Sequence, residues 1–241
     1  MSLTIVKGLQ SEIYAPITPT PVFTPVKKEL KDMTVALASA AGVHLKSDER
    51  FNLAGDTSYR LIPGDADTKD LMVSHGGYDN SDVNKDINCM FPLDRLRELA
   101  EEGFIGKVAP IHFGFMGGGG NQQVFTEKTG PEIAAKLKEE GVDAVLMTAG
   151  WGTCHRSAVI VQRAIEEAGI PTILIAALPP VARQNGTPRA VAPRVPMGAN
   201  AGEPNNPEMQ RNIVKDALRQ LVEIDTPGKI VPLPYEYIAK V

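Results

Sequence analysis

The stretch VDAVLMTAGWGTCHRSAVIVQRAIEEAGIPTILIAAL, residues 142–178, predicts a buried strand, a helix and a second buried strand in succession. The two apolar runs, 142–150 and 170–178, have no polar alternation, which is typical of parallel strands covered on both faces. The sequence therefore predicts an α/β protein with a largely parallel sheet and helices on both faces, of the Rossmann or flavodoxin-like kind.

The same alternation extends upstream of this unit. An amphipathic pattern that ends in a glycine predicts one helix, and a proline in the first turn marks the start of another. Strands are predicted at 35–45, 70–76 and 108–115, and helices at 92–103 and 130–141. These elements place the α/β domain at residues 34–241.

The two ends of the chain have a different composition. Prolines recur in PITPTPVFTP, residues 16–25, so residues 1–33 are predicted to form an extended arm. Residues 179–207 are rich in Pro, Arg, Asn and Gly and are predicted to be an irregular loop. A helix at 208–223 and a last proline-rich segment follow.

Composition excludes several classes of partner. The chain has 241 residues, 25 basic and 29 acidic side chains (25 − 29 = −4) and no basic block, which argues against a nucleic-acid or membrane partner. Its two cysteines and the absence of a CxxC motif argue against a disulfide framework and against structural zinc. The N-terminus lacks the apolar core of a signal peptide, so a cytoplasmic protein is expected.

Chemistry-bearing side chains gather where predicted strands end, and in parallel sheets ligands bind at that edge. All four histidines, His44, His75, His112 and His155, lie at or near such ends. His75, His112 and His155 are candidate proton donors or acceptors. A structural capping role remains the alternative for each of them.

The strongest local signal is the segment from Trp151 to Cys154. Cys154 is predicted in the first turn of a helix, where free backbone N–H groups and the helix dipole stabilise a thiolate. It is a candidate nucleophile, with a buried packing residue as the alternative. Trp151 is predicted to fill a pocket or to pack against a partner.

Several further residues are candidates for binding an anion. The glycine run Gly117, Gly118, Gly119 and Gly120, together with Gly152 and Thr153, offers backbone N–H groups to a substrate or anion, although the pattern of the run favours a mobile lid over the strand ends. Arg183, Arg189 and Arg194 are candidates to hold a carboxylate, with solvated loop charges as the alternative. The acidic loop 77–88 lacks the EF-hand order, so no metal is predicted.

Four long strings give the chain a family resemblance: SHGGYDNSDVNKDINCMFPLDRLRELAEEGFIG, IHFGFMGGGGNQQVF, TAGWGTCHRSAVIVQRAIEEAGIPT and MGANAGEPNNPEMQ. They resemble the selenoprotein B family of the glycine, sarcosine, betaine and D-proline reductases. The length is most similar to that of the selenium-containing subunit in the D-proline branch. The resemblance implies an oxidoreductase subunit for the reductive cleavage of the ring C–N bond of D-proline to 5-aminovalerate.

The resemblance also implies the site and its partners. It puts the family's selenocysteine at Trp151 and its redox partner at Cys154. It implies a pyruvoyl group on a partner subunit, a dithiol or electron-transfer protein as reductant, a small amino-acid substrate, and no cofactor bound by this chain. Tryptophan is no nucleophile, so the chain as written is expected to be inactive. Trp151 is either a recoded selenocysteine, since UGA and UGG differ by one base, or a natural loss.

Two further hypotheses stay open. One is a cofactor-independent amino-acid racemase or lyase in which Cys89 and Cys154 act as an acid/base pair of thiols. The other is a non-catalytic paralogue in which Trp151 plugs the pocket. The proline-rich arm and the long C-terminal loop favour an oligomer or a hetero-complex.

Overall fold

The computed structural model describes residue 20 and residues 22–119 and 121–238. Most of the predicted arm, residues 1–33, and also Gly120 lie outside this range. The described residues form two sheets with helices around the larger one. The strands are β1 Thr34–Ala40, β2 Val43–Leu45, β3 Tyr59–Pro63, β4 Leu71–Val73, β5 Lys107–Val108, β6 Ile111–Phe115, β7 Ala144–Ala149, β8 Thr172–Ile175, β9 Arg189–Arg194 and β10 Lys229–Glu236.

The large sheet confirms the predicted fold class. Its order is β10-β9-β8-β7-β1-β6-β3, with β5 pairing on β1. Every neighbouring pair is parallel except β3 with β6. The helices are α1 Ser81–Lys85, α2 Leu93–Glu101, α3 Gln122–Val124, α4 Gly130–Glu139, α5 Gly152–Glu167, α6 Pro179–Gln184 and α7 Pro207–Glu223.

Strand β1 shows why the sheet is covered on both faces. Val35 and Leu37 belong to the core that packs against α2 and α7. Ala36, Ala38 and Ala40 point the other way, into the core that packs against α4 and α5. Because successive side chains of a strand alternate between faces, an unbroken apolar strand requires two apolar layers. The small alanines let α5 approach the sheet closely.

The chain order creates a switch point beside β1. From β1 the large sheet continues to β6 on one side, and the chain then crosses to β7 on the other side of β1. In such sheets the loops that follow the two strands diverge and leave a crevice at their carboxyl ends. The segments after β1, β6 and β7 therefore meet at one edge.

Two predicted strands are interrupted in the structure. The run 35–45 ends as a sheet strand at Ala40, and Gly42, with φ of +75°, turns the chain into β2, which pairs with β4 in a separate two-stranded sheet. The run 108–115 is divided between β5 and β6 at Ala109 and Pro110. Pro110 has no N–H for the ladder, which accounts for the break.

The prediction of an irregular loop over 179–207 is wrong in its first half. That stretch contains α6 and β9, and the final proline-rich segment is β10. Pro232 and Pro234 lie in β10, which has a strand on one side only, so the missing N–H groups can face away from the ladder. No helix of the described residues is long and apolar enough to cross a membrane.

Arg189 is part of the core rather than a ligand for an anion, contrary to the sequence-based prediction. Its side chain and that of Glu166 are fully buried, with 3.4 Å between Arg189 Nη2 and Glu166 Oε2. The guanidinium also lies 4.0 Å from the centre of the Phe23 ring, and Glu166 accepts the backbone N–H of Thr24. This ion pair fastens the extended segment around Thr24 to α5.

The other two candidate arginines lie at the surface. Arg183 is exposed at the end of α6, and Arg194 forms an exposed ion pair with Glu236. Neither lines the cleft described below.

Candidate active site

The junction of β7 and α5 places Trp151 and Cys154 on one helix start. Trp151 is the N-cap residue in extended conformation, with φ of −142° and ψ of −174°, and Cys154 is the third residue of the helix. The indole accepts no hydrogen bond from the backbone N–H groups of the first turn. Good N-cap residues are small and have a side-chain acceptor, so tryptophan is poorly suited to this position.

Cys154 is in contact with His75, which lies in the loop after β4. The distance from His75 Nε2 to Cys154 Sγ is 2.9 Å, and neither group is open to solvent by more than a few per cent. A Cβ atom added to Gly118 would lie 3.7 Å from the sulfur. The thiol is therefore enclosed by β4, the glycine run and α5.

The loop after β4 holds His75 through backbone contacts. The Gly77 N–H donates to His75 Nδ1 at 2.8 Å, and the Asn80 amide donates to the His75 carbonyl oxygen at 2.8 Å. The Tyr78 ring lies 4.7 Å from the imidazole, centre to centre. Contacts within its own loop therefore hold the imidazole in position, independently of Cys154.

Burial dominates the electrostatics of this pair. Burial raises the pKa of the Cys154 thiol to about 12, although the backbone N–H groups of Trp151 and Cys154 lower it in part. Burial also lowers the pKa of His75 to about 4. The prediction of a thiolate at the helix start is therefore wrong for this structure, because the loss of solvation outweighs the helix dipole.

A cleft of about 350 Å³ lies beside His75 and Trp151. None of the described residues that line it carries a charged side chain at neutral pH, because His75 is neutral there. Its walls are glycine backbone and apolar side chains, and the indole of Trp151 forms one of them. The lining residues are Leu53, Ala54, His75, Gly76, Gly77, Met116, Gly118, Gly119 and Trp151.

The described part of the glycine run forms a wall of this cleft. Gly117 has φ of +72°, and a Cβ atom there would lie 3.3 Å from Cys154 Cα. The Gly117 carbonyl accepts the Ser157 hydroxyl at 2.8 Å, which ties the run to α5. Gly152 and Thr153 are buried in the first turn of that helix, and Thr153 Oγ1 has no hydrogen-bond partner.

Two adjacent glycines give a matched test of this packing. A Cβ atom on Gly77 would lie 2.7 Å from the Trp151 ring and 2.8 Å from His75 Cε1, whereas a Cβ atom on Gly76 meets nothing within 4 Å. We expect Gly77→Ala to displace the indole and to cost about 1–3 kcal/mol of stability through overpacking. Gly76→Ala should stay within about 0.5 kcal/mol of the parent.

Fluorescence reads this test directly, because Trp151 is the only tryptophan. Gly77→Ala should shift the emission maximum in the folded state, and Gly76→Ala should leave it unchanged. Equal spectra for the two variants would contradict the packing of Trp151 against Gly77.

The structure does not bring the rings of His112 and His155 into the cleft. His112 lies inside β6, where its Nδ1 accepts the Leu37 N–H at 2.9 Å. His155 bonds through Nδ1 to the Trp151 carbonyl at 2.7 Å and through Nε2 to the Leu178 N–H at 3.1 Å. Burial lowers the pKa of His112 to about 3 and that of His155 to about 4.

His44 and Cys89 also lie elsewhere. His44 is buried in β2, where its Nε2 contacts the Ser74 hydroxyl at 2.8 Å. Cys89 belongs to the core on the α2 and α7 face, and Cys154 belongs to the core on the opposite face. Burial and nearby carboxylates raise the pKa of Cys89. The two thiols therefore do not flank one cleft, as a two-thiol racemase would require.

Sequence reasoning missed Tyr78 and Asn200, which shape the edge of the sheet. The Tyr78 ring fills the space that a Cβ atom would need at Gly150 and at Gly198, and its hydroxyl donates to the Ala41 carbonyl at 2.9 Å. The Asn200 amide donates to the carbonyl oxygens of the residues that end β7 and β8. The only sequence signal was that both lie in the strings of the family resemblance.

No group of three or more metal-ligating side chains converges anywhere in the described part of the chain. The candidate site therefore consists of a helix start with residues 151 and 154 one turn apart, a neutral His75 in contact with Cys154, and a cleft whose described lining residues carry no charge.

Comparison with known proteins shows the family of the chain. Residues 5–150 match the family model for the glycine/sarcosine/betaine reductase selenoprotein B. The chain belongs to this selenoprotein B family. It is 79% identical over 239 residues to the D-proline reductase subunit gamma of Acetoanaerobium sticklandii, covering 99% of both chains.

Other members of the selenoprotein B family are longer. The chain is 31% identical to a glycine reductase complex component B subunit gamma of Carboxydothermus hydrogenoformans, covering 90% of this chain and 53% of the relative. It is 32% identical to a sarcosine reductase complex component B subunit beta of Peptoclostridium acidaminophilum, covering 92% and 54%. The chain thus spans about half the length of these two relatives. No solved structure matches it.

Proposed function

We propose that this chain is the selenoprotein-type subunit of a D-proline reductase. The reaction takes up two electrons and two protons from a dithiol, breaks the ring C–N bond of D-proline, and gives 5-aminovalerate and a disulfide. The observation that carries the proposal is the near-complete match to a D-proline reductase subunit, with Trp151 in the cleft wall and Cys154 buried three residues later at the same helix start.

Position 151 suits a selenocysteine better than it suits tryptophan. The N-cap site offers the free N–H groups of the first turn of α5, and a selenolate would accept them as other small anionic side chains do. Without the indole, the space that the Trp151 ring fills beside Gly77 would be open to a substrate. Selenium at this position would supply a nucleophile that is ionised at neutral pH and that is also a good leaving group.

Cys154 is the resolving residue in this proposal. It lies three positions after residue 151 on the same helix start, as the second thiol does in CxxC redox motifs. Its burial shields the sulfur from unrelated oxidants.

The cleft walls also say what the partner must contribute. D-proline carries a carboxylate and an ammonium group, and the described residues of the cleft offer no charged side chain to either. In this proposal a partner subunit holds the charged groups of the substrate, and a pyruvoyl group on that subunit would bind its amino nitrogen. We place the complex, with its dithiol or electron-transfer reductant, in the cytoplasm.

Reconstitution tests the proposal. The chain is prepared with tryptophan and with selenocysteine at position 151, each is combined with the pyruvoyl-containing partner, and 5-aminovalerate is measured with D-proline and a dithiol. We expect product only with selenocysteine, because the indole has no nucleophilic atom for this step. Peptide mapping of residues 148–156 in protein from the native source shows which residue is present there.

A second change separates the two roles. With selenocysteine at position 151, Cys154→Ser should remove turnover while leaving the fold intact, since serine is close to the same size. Equal activity of the tryptophan and selenocysteine forms would contradict the proposal. Activity toward glycine or sarcosine but not D-proline would move the chain to another branch of the family.

A further inference from the structure

We propose that His75 is a positioning residue for Cys154, a hydrogen-bond donor to Sγ that Gly77 holds in one tautomer. The contact itself rests on the structure alone. Its role in turnover rests on the proposed function above.

The tautomer follows from the donors around the ring. The Gly77 N–H donates to His75 Nδ1, so Nδ1 must be the unprotonated nitrogen of the neutral ring. The proton then lies on Nε2, which is 2.9 Å from Cys154 Sγ. The imidazole therefore donates to sulfur, and it cannot take the proton of the thiol without giving up the bond from Gly77.

This arrangement differs from a thiolate–imidazolium pair. Protonation of Nδ1 would set two N–H groups against each other at Gly77, in a place that is closed to solvent. The resting pair is a neutral imidazole and a thiol. His75 instead offers a ready donor at the moment when Sγ carries negative charge, which would happen whenever a bond between Sγ and a selenium atom at position 151 forms or breaks.

The surroundings of the sulfur leave this task to His75. Among the described residues, the other titratable group beside the pair is Tyr78, whose hydroxyl donates to the Ala41 carbonyl; the Met116 carbonyl also approaches the His75 ring and raises the pKa of His75 in part. The other donors near the sulfur are the backbone N–H groups of Trp151 and Cys154, at the start of α5 itself. His75 is a donor from a different segment of the chain. Its removal should therefore change the reactivity of Cys154 without disrupting the start of α5.

Nitrogen NMR of the folded chain tests the tautomer without any substitution. Long-range proton–nitrogen correlation at pH 7 should show His75 with unprotonated Nδ1 and protonated Nε2. His155 is the internal control with the opposite tautomer, because its Nδ1 must donate to the Trp151 carbonyl. Four histidines make the spectrum small enough to assign with a His75→Gln variant.

Alkylation of Cys154 tests the consequence. The rate with iodoacetamide is measured against pH by mass spectrometry of the peptide that carries Cys154. Loss of a hydrogen bond to a charged group should slow the reaction about 10- to 100-fold in His75→Leu, while His75→Gln, which keeps an N–H donor, recovers most of it. The alkylation rate of Cys89, measured in the same samples, should not change with the substitutions at His75.

The outcomes separate the two proposals. A protonated Nδ1 on His75, an imidazolium at pH 7, or equal alkylation rates in His75→Leu and the parent would overturn the inference. If reconstitution gives no D-proline reduction while the His75 tautomer and the alkylation rates are as expected, only the proposed function is contradicted.

Discussion

Trp151→Cys is expected to convert the β7–α5 junction into a redox pair that forms a disulfide with Cys154. The N-cap and third positions of a helix bring their Cβ atoms to about 5–6 Å, within reach of a bridge after a small adjustment. The introduced thiol can accept the free N–H groups of the first turn, so its pKa should fall below that of an ordinary cysteine. Removal of the indole also opens the cleft above Cys154.

Peptide mass spectrometry under non-reducing conditions measures this result. Trypsin leaves positions 151 and 154 in one peptide, residues 139–156, and leaves Cys89 in another, residues 86–95. We expect the first peptide to lose the mass of two hydrogens on oxidation and to regain it with a dithiol.

Trp151→Ser is the matched control, because serine can cap the helix but cannot form the bridge. A disulfide to Cys89, or two thiols that stay free under oxidising conditions, would contradict the placement of residues 151 and 154 as a pair.

Arg189→Met is expected to cost about 3–5 kcal/mol of unfolding free energy, because it leaves the Glu166 carboxylate buried without its cation. The substitution also removes the bonds from the guanidinium to the Leu221 and Thr24 carbonyl oxygens. The extended segment around Thr24 should then detach from α5 more easily.

Urea unfolding followed by Trp151 fluorescence gives the free energy. Arg194→Met is the control on the same strand, since its ion pair with Glu236 is exposed and should contribute less than about 1 kcal/mol. Arg189→Met combined with Glu166→Met should be less destabilising than Arg189→Met alone, because no charge is then left unpaired. Equal midpoints for Arg189→Met and Arg194→Met would contradict the buried pair.

Sequence patterns were reliable where one physical cause acts alone. The apolar runs at 142–150 and 170–178 predicted β7 and β8, and the helices on either side were confirmed, because burial on both faces leaves no polar alternation. The same reasoning failed at 35–45, where Gly42 redirects the chain. It also failed at 179–207, because the prolines and arginines of this stretch indicated a loop where the structure has α6 and β9.

The site divides in the same way. Trp151 and Cys154 could be placed on one helix start from the sequence, since three residues of spacing fix their relation. The sequence could not show which of the three candidate histidines contacts Cys154. Each of them follows or enters a strand, and the sequence does not show which way a ring points. Backbone bonds hold His112 and His155 away from the cleft.

Local periodicity and contiguous motifs were enough to predict the α/β architecture, the family and the pair of positions 151 and 154. The protonation state of Cys154 and the role of Arg189 could be read only from the folded chain. Both depend on burial, and burial is set by segments far apart in the chain: β4 brings His75 to α5, and Thr24 covers Arg189. Desolvation then reverses what helix position and formal charge alone would predict.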